Sequence, residues 1–494
     1  MQIDLDRRGN GSAPFYRQIA NHIRREIEAG RLDAGDRLPT IRALARTLNV
    51  NRDTVALAYD ELVSQGRLEA TVGRGTFVRG SPGGASGETR AAALAPRVEA
   101  LLEFEHTRPR YGAEAGSIPL HALVPDPALY PVAAFRRSVN RAFTSGGAEL
   151  LRYGDRQGHA GLRELLAGRF RAHGIEVSPD EISLCHGASQ GIALALRLFS
   201  EPGDAVAVEE PTYHNVLGVL RALGLEAVPV PMTGHGPDLA VLESVLARPE
   251  VKLLYTIPTF HNPMGITTDL AHRRALLALA VRHGKPVVED AYEMDLRFAG
   301  RELPPLAALD AGGLVVHLYS FSKSLFPGAR VGSITARGRA VEGLRALCHA
   351  SDLGGSPLLQ AALADFVGRG AYDRHLARLR RTLRSRAAAL SDSLAREMPD
   401  GVRFTSPEGG YQVWVDLPGG IDTRDLFADA LRAGVLFAPG YVFQHDGRAS
   451  SGLRLTVAQT DETAIRRGVA LLARVVRERL AAGGRASTRA SVQL

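Results

Sequence analysis

The sequence predicts a multidomain protein in which an N-terminal winged helix-turn-helix precedes a larger α/β module with a mostly parallel sheet. Three observations predict this division. The chain has 494 residues, 45% of them apolar, which is enough length and apolar content for about three domains with buried cores. Residues 80–116 are rich in Gly, Ser, Pro and Ala and show little periodicity, as a linker does. Short helical stripes precede this segment, and strand-like and helical stretches alternate after it.

These patterns divide the chain into four segments. We expect a compact module at 1–79, a linker at 80–116 with a short helix around 98–104, and a large module at 117–482. A flexible tail is expected at 483–494.

The first module is predicted from three apolar stripes. Phe15, Ile19, Ile23 and Ile27 recur every four residues, which predicts an amphipathic helix that ends at Gly30. A second helix is expected after Pro39 with 41, 44, 45 and 48 facing inward. A third should follow Asn51, with 55, 58, 59 and 62 inward. The run LEATVGRGTFV predicts two short strands of a hairpin. This order of elements is that of a winged helix-turn-helix.

Polar residues at the start of the third helix are candidates for DNA contact. Asn51, Arg52 and Thr54 lie away from the apolar stripe, where a recognition helix meets base edges and phosphates. Arg42, near the start of the second helix, and Arg74, at the hairpin tip, are placed for phosphate or minor-groove contacts. Taken singly, each of these residues could equally be an ordinary solvated side chain.

The run from Leu38 to Val78 closely resembles the GntR family of bacterial winged-helix regulators along its whole length. The resemblance implies that double-stranded operator DNA is a partner. A net charge of +7 is compatible with nucleic acid but small for this length, so the expectation depends on the placement of the arginines.

The composition also bounds the setting of the protein. Cys185 and Cys348 are too few for a disulfide framework or a four-cysteine zinc site, which predicts a reducing compartment and no metal centre. The N-terminus lacks the apolar run of a signal peptide, and no stretch has the ~18 apolar residues of a membrane helix. We therefore expect a cytoplasmic protein that associates with the nucleoid when it binds DNA, and no membrane partner.

In the large module, apolar runs such as DAVAVEEP, VKLLYTIP, KPVVED and LVVHLYSFSK alternate with helical stretches. This alternation predicts a mostly parallel sheet with helices on both faces.

Only three of the 60 basic residues are lysines, which limits any amine chemistry to three candidates. Lys252 begins a strand and Lys285 precedes a proline in a loop, as solvated residues do. Lys323 follows a buried strand, sits among hydroxyl groups and has Arg330 seven residues later. A lysine in that setting is what a pyridoxal 5'-phosphate (PLP) Schiff base requires.

Other residues meet the remaining needs of that cofactor. A carboxylate at a buried strand end, Asp290, could keep the ring nitrogen protonated, although alone it could be a helix cap. A Gly-containing turn before an apolar helix suits a phosphate. The candidates for the phosphate are Gly187, Ala188, Ser189, Ser320, Ser322 and Arg330. Candidates for the ring are Tyr213, which could stack on it, and Asn262 and Tyr292, which could hydrogen-bond its phenolate. Arg454 offers a forked donor to a substrate carboxylate.

The motifs YGDRQG, GASQG, EEPTY, HNPMG, EDAY, SFSK and GLRL stand in the order found in fold-type I aminotransferases, which the chain resembles from about residue 118 to 477. The resemblance implies that Lys323 carries PLP, that Asp290 pairs with the pyridine nitrogen, and that Arg454 binds a carboxylate. It also implies a small C-terminal α+β subdomain. Tyr153 would contribute to the phosphate site of the partner subunit, which implies a homodimer.

Joined to the first module, this arrangement resembles the MocR subfamily of GntR-type regulators. The subfamily pattern implies a head-to-tail dimer that senses a small amine, an amino acid or PLP itself. Leu123 stands where relatives often have glycine, and Asn215 stands where the GABA-responsive type has an arginine, which argues against GABA as the effector. A working aminotransferase that carries a DNA-binding anchor is the alternative. An intact winged helix favours the regulator, with transamination at most a residual activity.

Overall fold

The computed structural model describes Ile3 and residues 14–71, 75–79, 92–109, 111 and 116–490, with side chains up to residue 482. The chain forms two compact units, Met1–Ala93 and Leu94–Leu494.

The first unit has the predicted order of three helices and a hairpin. Its elements are α1 (Phe15–Glu28), α2 (Ile41–Leu48), α3 (Arg52–Ser64), β1 (Leu68–Thr71) and β2 (Gly75–Val78). The two strands pair antiparallel, which forms the wing.

Local hydrogen bonds fix the ends of α2 and α3. The Thr40 hydroxyl accepts from the Ala43 N–H at 3.2 Å, and the Asn51 side-chain oxygen accepts from the Asp53 N–H at 3.2 Å. Asn49 closes α2 in the left-handed region at φ 50°, where asparagine is better tolerated than most residues. These caps set the tight turn between α2 and α3.

The core of this unit follows the predicted stripes with one exception. Ile19 and Ile23 of α1 are fully buried, and α3 buries all four residues expected to face inward, 55, 58, 59 and 62. Phe15 does not belong to the core, because 38% of its surface stays exposed at the first turn of α1. The regular spacing of apolar residues along a helix does not show which of them lie beyond the packed core.

The second unit is built from many more elements. Its helices are α4 (Pro96–His106), α5 (Val132–Gly146), α6 (Ala160–Ala172), α7 (Ala188–Phe199), α8 (His214–Leu223), α9 (Leu239–Leu246), α10 (Leu270–His283), α11 (Leu306–Leu309), α12 (Phe321–Ser324), α13 (Arg339–Asp352), α14 (Pro357–Gly368), α15 (Ala371–Glu397), α16 (Thr423–Arg432) and α17 (Glu462–Ala490). Its strands are β3 (Ile118–Pro119), β4 (Ile182–Cys185), β5 (Ala205–Glu210), β6 (Glu226–Thr233), β7 (Gly236–Pro237), β8 (Val251–Thr256), β9 (Val287–Asp290), β10 (Val315–Ser320), β11 (Gly332–Thr335), β12 (Arg403–Phe404), β13 (Gln412–Asp416), β14 (Val435–Leu436), β15 (Ala438–Pro439) and β16 (Gly452–Thr456).

The large sheet has eight strands in the order β4-β11-β10-β9-β8-β5-β6-β7. Strands β10, β9, β8, β5 and β6 run parallel to one another, whereas β11 is antiparallel to both of its neighbours and β7 is an antiparallel edge. The prediction of a mostly parallel sheet is confirmed.

Helices cover both faces of this sheet. Along β5, Val206 and Val208 pack in one apolar cluster with α7, α8 and α13, while Ala207 packs in the other with α6, α9 and α10. Since successive side chains of a strand point to opposite faces, two clusters on alternate residues require helices on both sides.

A second, antiparallel sheet in the order β12-β13-β16-β15 forms the small C-terminal subdomain with α16 and α17. The predicted α+β subdomain is confirmed. Strand β16 carries Arg454 across from Trp414 of β13, so this sheet brings a cation toward the large one.

Both ends of the large module differ from the expected segment bounds. The helix expected in the linker is α4, and it packs on α8 as part of the second unit. At the other end, α17 continues to Ala490, eight residues into the segment expected to be a tail. No helix among the described residues is long and apolar enough to cross a membrane.

Candidate functional site

The candidate site lies at the edge of the large sheet where its parallel strands end. Strand β9 ends at Asp290, and β10 ends at Ser320 and leads directly into α12, which carries Lys323. The carboxyl ends of adjacent parallel strands meet at one edge, where α/β proteins place their ligands. This topology brings together two residues that are 33 positions apart in the sequence.

Asp290 is a buried carboxylate with one free oxygen. Its Oδ2 accepts a hydrogen bond from the Tyr255 hydroxyl at 2.7 Å, and only 1% of the residue is exposed. No described group bonds to Oδ1. Burial raises the pKa of Asp290 to about 6, against the opposing hydrogen bond from Tyr255. A cationic donor placed at Oδ1 would stabilise such a carboxylate.

Lys323 is half-buried, and its Nζ donates to the Leu123 carbonyl at 2.5 Å. The Tyr411 hydroxyl donates to the Lys323 carbonyl at 2.6 Å and thereby fixes the backbone of α12. Burial lowers the pKa of the Lys323 amine, while the carboxylate of Glu293 opposes that change. The site therefore favours an unprotonated, nucleophilic amine more than water does.

Arg454, Asn262 and Tyr292 form a buried polar group beside the lysine. Arg454 Nη1 donates to Asn262 Oδ1 at 2.9 Å, and its Nη2 donates to the His121 carbonyl at 3.0 Å. Its Nε has no partner among the described residues. Tyr292 accepts at its hydroxyl from Gln412 Nε2 at 2.6 Å. These contacts hold the three side chains in fixed positions.

Arg454 lies among aromatic rings, neutral imidazoles and one buried acidic residue, Glu293. Its guanidinium lies 5.0 Å from the ring centre of Phe443. Burial, together with the charge of Arg454, lowers the pKa of His121 to about 4 and that of His214 to about 3, so both imidazoles are neutral at pH 7. An anionic ligand would find the Arg454 guanidinium here, near the Lys323 amine, and no competing imidazolium.

A second cluster forms at the N-terminus of α7. Gly187 precedes the helix at φ 82°, and Ala188 and Ser189 are its first two residues. A Cβ at Gly187 would lie 3.4 Å from Arg330 Nη1 and 3.5 Å from Ser322 Oγ. The structure thus brings the helix terminus, a hydroxyl and a guanidinium together, which is the donor set an anionic group needs.

Two predicted residues of this cluster are already engaged. The Ser320 hydroxyl is buried and accepts from the Ser322 N–H at 3.2 Å, so it caps α12. Ser189 Oγ accepts from Asn215 Nδ2 at 3.4 Å, which links α7 to α8. Tyr213 immediately precedes α8 and is half-buried on the same side.

Tyr153 is not part of this cluster within one chain. It is 84% exposed. It precedes Gly154, where a Cβ would lie 3.0 Å from Pro357.

Sequence reasoning missed four residues of the site. Tyr255 is the hydrogen-bond partner of Asp290, and Gln412 Nε2 links Tyr292 at 2.6 Å to Glu293 Oε2 at 3.3 Å. Glu293 is fully buried, and burial raises its pKa. Tyr111, at the end of the linker, stacks on His121 with ring centres 4.0 Å apart. The polar residue inside the apolar run YQVWV was the one available signal, and it pointed to Gln412.

The DNA-contact candidates of the first unit lie at two helix starts. Arg42, on the first turn of α2, is exposed, as are Asn51 and Arg52 at the start of α3, whereas Thr54 is half-buried. Arg74 lies outside the described residues.

Comparison with family models assigns both units. Residues 127–472 match the model described as aminotransferase class I and II, and residues 15–78 match that of bacterial regulatory proteins of the gntR family.

Two regulators and one aminotransferase are similar to most of the chain. The chain is 32% identical to an uncharacterized HTH-type transcriptional regulator, YdcR, of Escherichia coli (strain K12), over 94% of this chain and 99% of that protein. It is 30% identical to the probable rhizopine catabolism regulatory protein MocR of Rhizobium meliloti, over 88% of each chain. It is also 34% identical to aromatic-amino-acid aminotransferase 1 of Thermococcus litoralis, over 72% of this chain and 87% of that one.

Solved structures of aminotransferases share the fold of the second unit. Pyrococcus horikoshii kynurenine aminotransferase, solved with PMP, superposes with a TM-score of 0.71 at 30% identity, over 80% of this chain and 97% of that one. LysN, an alpha-aminoadipate aminotransferase of Thermus thermophilus complexed with N-(5'-phosphopyridoxyl)-L-leucine, gives 0.69 at 34% identity, over 78% and 96%.

Proposed function

The chain belongs to the MocR subfamily, in which a GntR-type helix-turn-helix is fused to a class I and II aminotransferase domain, and on that premise we propose a PLP-dependent transcriptional regulator. Its first unit binds operator DNA, and its second unit binds PLP on Lys323 and senses an amino compound or PLP itself. The observation that carries the proposal is the arrangement of Lys323 and Asp290 at one sheet edge, in a chain that also has an exposed recognition helix.

The residues present fit PLP. The free Oδ1 of Asp290 suits the protonated pyridine nitrogen, because a buried acceptor without a donor costs free energy. The donors around Gly187, namely the first N–H groups of α7, Ser322 Oγ and Arg330, suit a phosphate. Asn262 and Tyr292 lie beside Arg454 and suit the ring hydroxyl. Tyr213 supplies an aromatic face.

PLP, when bound, withdraws electrons from the bonds to the carbon that carries an amine. The residues of this chain set the conditions for that chemistry. Asp290 holds a proton at the ring nitrogen, and Lys323 Nζ offers a lone pair because burial lowers its pKa. Tyr411 and Leu123 hold the lysine on α12 through its backbone carbonyl and its amine.

Arg454 would bind the carboxylate of the effector. Its Nε is free among the described residues, and its two other nitrogens are fixed by Asn262 and His121. Asn215 bonds to Ser189 and carries no charge for a second anionic group. An effector whose carboxylate is bound by Arg454 alone therefore fits this site better than one that needs a second arginine at position 215.

Regulation requires the effector to distinguish two states of the protein. A ligand shifts an equilibrium only by its difference in affinity for the two states. We place these states in a head-to-tail homodimer, in which Tyr153 contributes to the phosphate site of the partner subunit. Its 84% exposure in one chain is what such a contribution requires.

A working aminotransferase remains the second candidate. The 34% identity to aromatic-amino-acid aminotransferase 1 and the presence of Lys323, Asp290 and Arg454 favour it. Amine capture and transamination share their first steps, so these residues serve both functions. Multiple-turnover conversion of an amino acid and a keto acid, at the rates of metabolic enzymes, would select the enzyme over the regulator.

The first test of the proposal is removal of the lysine amine. Lys323→Ala should abolish the visible absorbance that appears when PLP is added to the purified protein, because no amine remains to hold the cofactor covalently. Lys285→Ala is the matched control, since that amine bonds to the Val251 carbonyl at 2.5 Å, on the opposite sheet edge, and should leave the absorbance unchanged. An unchanged spectrum in Lys323→Ala would assign the cofactor to another group.

A further inference from the structure

A basic groove lies between α5 and α15 in the second unit, and none of its residues belongs to the PLP site. It comprises two cavities of about 630 and 640 Å³ that share Arg137 of α5 and Arg378 and Arg381 of α15. Arg374 of α15 lines one of them. We use the name basic groove for these four arginines.

The spacing along α15 places three of the arginines in a row. Arg374, Arg378 and Arg381 stand at i, i+4 and i+7, which is one face of a helix. The row extends about 10 Å along the helix axis, at 1.5 Å per residue. The opposite face of α15 is anchored in the core by Leu376, Leu379 and Leu383, so the row is held on a rigid element.

The charges of the groove are not neutralised by neighbouring acids. Arg141 and Arg369, at one end, both pair with Asp365, at 2.5 and 2.7 Å. By contrast, Arg137, Arg374, Arg378 and Arg381 are exposed and make no ion pair with any described acidic side chain. Like charges in a row repel one another, and a polyanion that lies along the row would stabilise them.

We propose that the basic groove binds backbone phosphates of the same DNA that the helix-turn-helix engages, as a second contact surface without sequence preference. A row of exposed guanidinium groups matches a phosphate chain better than a protein partner, whose binding centres on buried aromatic or apolar anchors. The first unit is covalently linked to the second by the chain, so DNA that the first unit holds has a raised local concentration at the groove.

The test measures how DNA affinity depends on salt. Removing one phosphate contact should reduce the slope of log K against log salt by ~0.9. We therefore expect the triple variant Arg137→Ala, Arg378→Ala, Arg381→Ala of the full chain to reduce that slope by ~2 to 3. The probe is a fluorescently labelled duplex of mixed sequence, several helical turns long, followed by anisotropy.

A matched triple variant controls for the change in total charge. Arg403, Arg466 and Arg467 are also exposed and make no ion pair in the described part of the second unit. Their replacement by alanine should leave the slope within ~1 of the wild-type value. Retained PLP absorbance checks that both variants are folded.

Two results would overturn the proposal: a wild-type slope in the groove variant, or an equal reduction in both triple variants. Its failure is separable from that of the proposed function, because DNA binding through Arg52 and PLP binding through Lys323 are measured with other variants.

Discussion

At the scale of one residue, the buried carboxylate of Asp290 lowers the free energy of unfolding of the cofactor-free protein. The carboxylate is buried against Tyr255, and burial raises its pKa from 3.8 to about 6. In the absence of the cofactor, ionisation of Asp290 is therefore less favourable in the folded chain than in the unfolded chain. A ligand that places a cation at Oδ1 removes that cost, so the same burial strengthens binding.

We predict that Asp290→Asn stabilises the cofactor-free protein at pH 8. The folded pKa lies above the unfolded one, so ionisation reduces the free energy of unfolding as the pH rises from about 4 to 6, and the loss is complete above that range. Asparagine does not ionise, so the variant should be more stable than the wild type by ~3 kcal/mol at pH 8 and equally stable at pH 3.5. Urea unfolding at the two pH values measures the difference.

The same variant should bind PLP at least tenfold more weakly, because the pyridine nitrogen loses its carboxylate. Asp392→Asn, on the exposed side of α15, is the control and should change neither quantity. An equal gain at both pH values would mean that ionisation is not its cause.

Single residues were predictable from sequence when they ended a buried strand. Lys323 and Asp290 each lie at or just after the end of an apolar strand. Because parallel strands end at the same edge of a sheet, the sequence pattern was enough to place both residues there. Glu293 was not predictable, and Gln412 left only the signal of a polar residue in an apolar run, because their contact joins β13 to the segment after β9 and no local pattern encodes it. Ser320 stays a predicted phosphate-site residue, and its hydroxyl oxygen also caps α12 by accepting from the Ser322 N–H.

At the scale of elements, the N-terminus of α7 depends on one glycine. Gly187 has φ 82°, which an L side chain rarely adopts, and a Cβ there would lie in van der Waals contact with Arg330 Nη1, at 3.4 Å. The turn GASQG therefore places the first N–H groups of the helix, and the arginine closes the cluster.

Gly187→Ala should weaken PLP binding about tenfold, since the strain of ~1 to 2 kcal/mol falls on the phosphate-facing turn. Titration of the visible absorbance measures the affinity. Gly168→Ala is the matched control, because a Cβ there meets nothing within 4 Å and the residue lies inside α6. Wild-type affinity in Gly187→Ala would exclude this turn from the phosphate site.

The elements at the chain's boundaries were the least predictable. A short helix around 98–104 was expected within the linker and α4 forms there, but its packing on α8, where Leu101 and Phe104 lie near Gly218, was not predicted. Helix propensity and the spacing of apolar residues predict that a helix forms. They do not show which other element it packs on, which only the tertiary structure reveals.

At the scale of the whole molecule, we expect the two units to carry two separable activities. Arg52→Ala, at the exposed start of α3, should weaken DNA binding and lower the salt slope by ~1, because the variant cannot make one phosphate or base contact. The visible PLP absorbance should stay unchanged, since it arises in the other unit. Anisotropy with a labelled duplex from the chain's own upstream region, together with absorbance, measures both.

Arg25→Ala, exposed near the end of α1, serves as its control. Simultaneous loss of DNA binding and absorbance in Arg52→Ala would contradict the assignment of one activity to each unit.

The positions of the three lysines have a practical consequence for chemical mapping. Lys252 and Lys285 lie at the amino ends of β8 and β9, bonded to backbone carbonyls, whereas Lys323 follows the carboxyl end of β10. An endoproteinase specific for lysine cuts the unfolded chain after Lys252 whether or not Lys323 carries a cofactor. Reduction of a cofactor bound to Lys323 with borohydride would block the cut after that residue alone. One missed cleavage would then locate the modified amine by mass.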